Sequence, residues 1–248
     1  MKQIAVCLAV LLISACSSTP SQPESQAEQI THSEKAVTVA LLGSTGMTGG
    51  FILQDLLTHG YKVRALARSP QKLDAMRNQI TIVKGDATNP EAIRELLMGS
   101  DIIVSAIGPV KGDGLIAKTI STRTTKNIID TMSTFSIERY IVVSGAAVTV
   151  PGDNRNMTGW LVQKSATLAL RDTVKDKQAE YKLLAASEIN WTLLRCPVIS
   201  AEPFKEPAIE SLASPSAFSL RAGELSRFIV ELVASGNFSR QAPFLNSR

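Results

Sequence analysis

Gly43, Gly46 and Gly49 are spaced three residues apart and lie between an apolar run and a helix-like stretch. That spacing suits backbone N–H groups to a phosphate. The first glycine lets the chain turn tightly off a strand, the second lets a pyrophosphate approach the backbone, and the third lets the helix pack closely on the sheet. The loop Gly43, Ser44, Thr45, Gly46, Met47, Thr48, Gly49 is therefore the candidate cradle of a dinucleotide, with the phosphates on the positive end of the helix. The competing reading is a tight turn that holds nothing. Arg68 closes a second strand-like run, and no Asp or Glu stands between Tyr61 and Leu73. An acid at that tip binds a free ribose 2′-hydroxyl, whereas an arginine binds a 2′-phosphate. The residues point to NADP(H), with NAD(H) the other possibility. Arg68 as a solvated surface charge is the alternative.

Other chemistries find little support. The only histidines are His32, in a polar stretch, and His59, at a helix end, which argues against a Ser-His-Asp hydrolase and a histidine-ligated metal. Cys7, Cys16 and Cys196 are too few and scattered for a disulfide framework or a zinc cluster. The net charge of +4 is spread out, with no basic block interleaved with aromatics, so no nucleic-acid groove is expected.

These residues need strands and helices to position them. With 248 residues, 44% of them hydrophobic, the chain can build one sizeable core. Val37 to Leu42 and Lys62 to Ala67 read as strands flanking a helix over Met47 to Thr58. Further strands are expected at Ile80 to Val83, Asp101 to Ala106, Tyr140 to Val143 and Trp191 to Leu194. Helices are expected over Asn89 to Met98, with Thr88 or Asn89 as cap, and over Leu115 to Ser136, Ala166 to Ala186 and Arg221 to Ala234. Ala146 to Gln163 carries few regular signals. Strand and helix patterns alternate throughout, which predicts an α/β fold: a single Rossmann-type domain with a doubly wound parallel sheet, from residue 35 to residue 248.

The first residues read as an address. Lys2 precedes the apolar run Ile4 to Ile13, which is too short to span a bilayer and suits a signal-peptide core. The run ends in Ile13-Ser14-Ala15-Cys16, which resembles the lipobox of bacterial lipoproteins. That resemblance implies a leader of residues 1–15, acylation of Cys16 and a membrane anchor. With Ser17 next, it implies the outer membrane, facing the periplasm. An ordinary secretory signal cleaved after Ala15 is the alternative. From Cys16 to Glu34 the chain is rich in Ser, Gln and Glu, with Ile30 its only large apolar residue, so it reads as a flexible tether. As a random coil it would reach about 20 to 25 Å.

Taken together, the Gly43–Gly49 loop, Arg68, Gly85-Asp86-Ala87, Ser144-Gly145, Lys177-Gln-Ala-Glu180 and Trp191-Thr-Leu-Leu-Arg195 resemble the atypical short-chain dehydrogenase/reductases. The nearest branch groups flavin and biliverdin reductases with NmrA-like sensors. The resemblance spans about Val37 to Ala234. It implies that Asp86 and Ala87 flank the adenine, that Ala106, Ile107 and Gly108 pass the nicotinamide ribose, and that Ser144 faces the hydride-transfer position. Asp86 as a turn residue bonding its own backbone is the competing reading. The family's Tyr-x-x-x-Lys is missing: Tyr61, Tyr140 and Tyr181 are followed four residues later by Ala65, Ser144 and Ala185. Matching Glu180 to the family's glutamate puts Lys177 at the lysine position and Thr173 where tyrosine should be. Ser144 and Lys177 are thus the candidate catalytic residues, although Ser144 also reads as a loop cap and Lys177 as a solvated charge on a surface helix. Cys196 reads as a small buried residue rather than a reactive thiol.

Two functions are open at this point. One is an NADPH-dependent oxidoreductase whose small flavin-like or quinone-like acceptor takes its proton from solvent. The other is a dinucleotide-sensing or scaffold protein anchored to the membrane. The residues leave the oligomeric state open.

Overall fold

The computed structural model describes residues 36–110 and 112–248. The leader, Cys16, the tether and the expected domain start at residue 35 lie outside them. In chain order the elements are β1 (Thr38–Leu42), α1 (Met47–Thr58), β2 (Lys62–Ala67), β3 (Thr81–Lys84), α2 (Pro90–Leu97), β4 (Ile102–Ser105), α3 (Ile120–Met132) and β5 (Arg139–Gly145). They continue with α4 (Met157–Ala169), α5 (Arg171–Ala186), β6 (Trp191–Cys196), β7 (Val198–Ser200), β8 (Ile209–Ser211), β9 (Ser219–Arg221), α6 (Ala222–Ser235) and β10 (Phe244–Asn246). Single 3₁₀ segments cover Pro70–Met76 and Gly114–Lys118.

Eight strands form one sheet in the order β3-β2-β1-β4-β5-β6-β10-β8, parallel except for β8, and β7 pairs with β9 apart from it. The doubly wound α/β fold is as the sequence predicts. Side chains alternate across the sheet as the strand period of two requires. Val39 and Leu41 of β1 and Ile141 and Val143 of β5 face the layer holding Ile52 and Leu56 of α1 and Leu225 and Ile229 of α6. Ala40, Leu42, Tyr140 and Val142 face Ile93 and Leu96 of α2, Ile128 of α3 and Leu184 of α5. A parallel sheet covered on both faces explains why its strands read as unbroken apolar runs.

The caps also follow from residue type. Asn89 accepts hydrogen bonds from the N–H groups of Glu91 and Ala92, and Pro90 opens α2, where a missing N–H costs nothing. The start of α3 is capped from another helix: Asp176 of α5, buried, accepts from the N–H groups of Ser121 (2.8 Å) and Thr122 (3.0 Å). Asp176→Ala would leave these donors, one buried and one half-buried, unpaired. It is expected to cost about 1 to 3 kcal/mol in a denaturant unfolding curve, whereas Asp172→Ala, at an exposed position, should cost little.

The structure corrects four expectations. The helix over Leu115–Ser136 is a 3₁₀ segment followed by a shorter α3. The segment without regular signals contains most of α4. The helix over 166–186 is broken at Leu170, whose dihedrals (φ −131°, ψ 42°) leave the helical region, so α4 and α5 are separate. The short strands β7, β8, β9 and β10 were not foreseen.

The C-terminal strands are tied to the sheet by Arg195 on β6, which is fully buried. Its Nε donates to Ala242 O (2.7 Å), its Nη1 donates to Asp153 (2.6 Å), and the guanidinium stacks 3.6 Å from the Phe244 ring centre. Asp153 also pairs with Arg155, which donates to the carbonyls of Ala146 and Val148.

Candidate active site

The strand order reverses between β1 and β4, because the chain winds outward through β2 and β3 and then returns to start the other half. Open α/β sheets bind ligands outside the carboxyl ends of the strands at such a point. The cavity here holds about 380 Å³ and is lined by Gly43, Thr45, Gly46, Arg68, Asp86, Ala87, Ala106, Ile107 and Gly108, among others. The sequence singled out all nine. Ser44 is buried, its hydroxyl reaching Leu66 O (3.4 Å), while Met47, half exposed, and Thr48 do not line the cavity and the Thr48 hydroxyl meets the Met47 sulfur.

Two of the three glycines are required by the fold itself. Gly43 has φ +82°, and a Cβ there would sit 2.7 Å from Ala106 O. A Cβ on Gly49 would sit 2.0 Å from Gly43 O, so only glycine lets α1 approach the loop. The leading N–H groups of α1 have no intrahelical acceptor, and its first turn carries no acid. An anion therefore fits at this end.

Arg68 stands at the tip of β2 with its side chain half exposed and donates to Asp113 (2.7 Å). That hydrogen bond holds its guanidinium above the usual value. Burial alone would raise the Asp113 carboxyl, but the hydrogen bonds from Arg68 and the Val110 N–H outweigh it and leave the group below the usual range. The contact is therefore kept above the ordinary carboxylate range and lost as pH falls through the lowered value. Lys72 also lines the cavity, from the 3₁₀ turn after Pro70, and supplies a second cation that the sequence reading missed. Its signal was a lysine just past Arg68-Ser69-Pro70. Asp86 makes the contacts of its turn reading and also lines the cavity. Its Oδ1 accepts from the Thr88 N–H (2.8 Å) and hydroxyl (2.6 Å), and its Oδ2 lies 3.9 Å from Arg68. Asp113 competes with any phosphate for Arg68. Asp113→Asn is expected to tighten NADPH binding roughly two- to fivefold in a fluorescence titration, with NADH unchanged.

Lys177 is buried, which settles the solvated-charge alternative against it. Its Nζ donates to Ile107 O (2.9 Å), Val143 O (3.1 Å) and Glu180 Oε2 (3.0 Å). An ammonium has three protons, and all three are engaged. Glu180 also accepts from Thr125 (3.0 Å), whose hydroxyl meets Tyr140 (2.9 Å), so one buried polar chain crosses from α5 through α3 to β5. Burial pushes the Glu180 carboxyl up, against the lowering pull of Lys177 and Thr125. Ser144 lies at the carboxyl end of β5, and its buried hydroxyl has no partner. An orphaned buried hydroxyl at the ligand edge of a sheet is a group waiting for one. Cys196 is buried and its thiol is pushed up by burial, as its apolar reading requires.

A second cavity of about 400 Å³ adjoins this edge. Its walls are Gly145 at the end of β5 with Ala146 and Val148 after it, Val162, Ala166 and Ala169 of α4, Thr173, Val174 and Lys177 of α5, and Cys196 to Val198. Lys177 is the only charged residue among them. Its ammonium reaches the carbonyl of Ile107, which lines the first cavity, so the two cavities share this wall.

A glycine turn at a sheet's switch point, an open helix N-terminus and a basic strand tip together define a dinucleotide-binding Rossmann domain. The chain belongs to the NAD(P)H-binding family, whose sequence profile matches residues 43–235. Solved structures share the fold. The anaerobillin reductase ChuY from Escherichia coli O157:H7 has a TM-score of 0.71 at 18% identity, covering 85% of this chain and 97% of that one. A putative exported protein from Burkholderia pseudomallei gives 0.68 at 22%, covering 85% and 100%. A short-chain dehydrogenase/reductase from Veillonella parvula, solved with NADP, gives 0.70 at 17%, covering 86% and 95%. The chain spans 30% to 38% of the length of the first curated relatives it matches.

Proposed function

We propose that this protein is an NADPH-dependent oxidoreductase that reduces a small, uncharged flavin-like or quinone-like acceptor. The observation that carries the reading is the shared wall at Lys177, which sets an apolar cavity beside the Ile107 end of the first cavity, the end this reading gives to the nicotinamide. Gly46 and the start of α1 would hold the pyrophosphate, with Arg68 and Lys72 on the 2′-phosphate. NADPH, when bound, supplies a hydride. Lys177 fixes the Ile107 and Val143 carbonyls and so the width of the gap between the cavities. Ser144 offers the hydroxyl that can bond a ligand there. The apolar walls exclude water and suit a ring system without charge. The neighbours agree in kind: one reduces anaerobillin, and another was solved with NADP.

With Thr173 where a tyrosine would serve and the Lys177 protons engaged, the acceptor takes its proton from solvent. That same observation favours a second reading, a dinucleotide sensor or scaffold with no turnover. Mixing the full chain with NADPH and a neutral naphthoquinone or riboflavin, and following NADPH absorbance, separates the two. Oxidation dependent on a neutral acceptor supports the oxidoreductase. Tight NADPH binding with every acceptor inert assigns the sensor. For location we propose a lipid anchor at Cys16 on the periplasmic side of the outer membrane; the exported relative from Burkholderia is consistent with export. The expected mark is an acyl mass on the N-terminal peptide.

A further inference from the structure

Helix α4 carries its apolar residues on the outside. Met157, Trp160, Leu161 and Leu168 are 73%, 50%, 43% and 89% exposed. At about 100° per residue these four and Lys164 fall within roughly 100° of one another, so they form one stripe. The opposite face is used: Val162, Ala166 and Ala169 wall the apolar cavity, and Gly159 packs on Ser214 and Pro215. Exposed Leu170, Val198 and Phe218 continue the apolar surface round the rim of that cavity. An apolar patch of this kind marks a site of association rather than random exposure.

We propose that the outer face of α4 lies on a phospholipid surface, with the exposed apolar rim of the second cavity beside it. Three observations choose lipid as the occupant. The helix contains no acid, and its only charge is Lys164, 5.8 Å from the centre of the Trp160 ring; a tryptophan beside a lysine whose stem can snorkel suits a headgroup boundary. Exposed Arg171 and Lys175 follow at the start of α5, where the acid Asp172 is paired with Lys118 (3.0 Å), which leaves the patch cationic toward anionic headgroups. The chain before residue 36 runs back to Cys16 at the end of an apolar leader, and its reach of about 20 to 25 Å would hold the domain against the membrane it is anchored in. The helix face stands apart from the redox reading and shares with the proposed function only the anchor.

Trp160 reports on itself, because the only other tryptophan, Trp191, is buried. The test uses the full chain, with its acylation checked by intact mass. The chain is placed with vesicles of phosphatidylethanolamine and phosphatidylglycerol, with or without bromine on the acyl chains. A blue shift of the emission and its loss in brominated lipid are expected, both absent in Trp160→Phe. Leu161→Ser combined with Leu168→Ser, exposed positions that leave the core intact, should restore most of the emission. A chain that sediments with vesicles while Trp160 stays unquenched overturns the inference and leaves the anchor standing. Failure to sediment at all also overturns it, as does a Trp160 shielded without vesicles in a concentration-dependent dimer, which gives the face to a second copy. An unacylated chain whose Trp160 is quenched removes the anchor and keeps the face.

Discussion

Gly46→Val is expected to abolish the rise in melting temperature that NADPH gives the wild-type protein. At a cofactor concentration about a hundredfold over Kd, binding adds roughly 2.7 kcal/mol, or some 5 to 10 °C for a domain of this size. Gly46 has φ −83° and ψ 166°, which L-residues adopt freely, and an added Cβ meets Gly43 O at 3.3 Å, a contact relieved by a small shift. The valine branches then fill the space where a pyrophosphate must lie against backbone. The apo variant should therefore melt close to wild type. Gly49→Ala is the contrast: its methyl would sit 2.0 Å from a carbonyl oxygen, so the apo protein itself should fail. A wild type with no thermal response at millimolar NADPH would refute the cofactor site.

The second large effect concerns cofactor choice. Arg68→Ala removes a charge-assisted contact to a 2′-phosphate, which contributes about 1.5 to 3 kcal/mol, or roughly ten- to over a hundredfold in affinity. NADPH should weaken by that factor and NADH by little, and the apo melting point should hold because the Arg68 side chain is half exposed. Parallel losses for both cofactors would mean that Arg68 supports the loop rather than reading the phosphate.

Local patterns made much of this site readable. The bounds of α1 and β2 follow from the sequence because a glycine stop, an apolar period and an extended run agree there. Of the nine cavity residues, Gly43, Thr45, Gly46 and Arg68 follow from the glycine spacing and the basic strand tip, whereas Asp86, Ala87, Ala106, Ile107 and Gly108 came from the family resemblance. What was not legible depends on tertiary context. Helix α4 escaped because its largest apolar residues face outward and Gly159 falls in its first turn, so it shows no clear core-facing pattern. Strands β7 to β10 are three residues each, too short for any period. The burial of Lys177 could not be read from α5, whose charges Arg171, Lys175 and Lys182 suggest a solvated helix. Besides Glu180 on the same helix, its partners are the carbonyls of Ile107 and Val143, which come from other parts of the chain and which no helical pattern announces. The Arg68–Asp113 contact joins residues far apart in sequence, and no local rule anticipates it.

Arg195 has a consequence for motion. One guanidinium holds the backbone before β10, stacks on a ring of β10 and grips Asp153 in the segment that walls the apolar cavity. These parts cannot open separately without stranding a buried charge, so their amides should exchange with deuterium in a single shared event. A compound that settles in the cavity and quiets its wall should then slow exchange at Leu245, on a strand it never touches. Arg195→Met would uncouple the two, leaving the wall to respond alone.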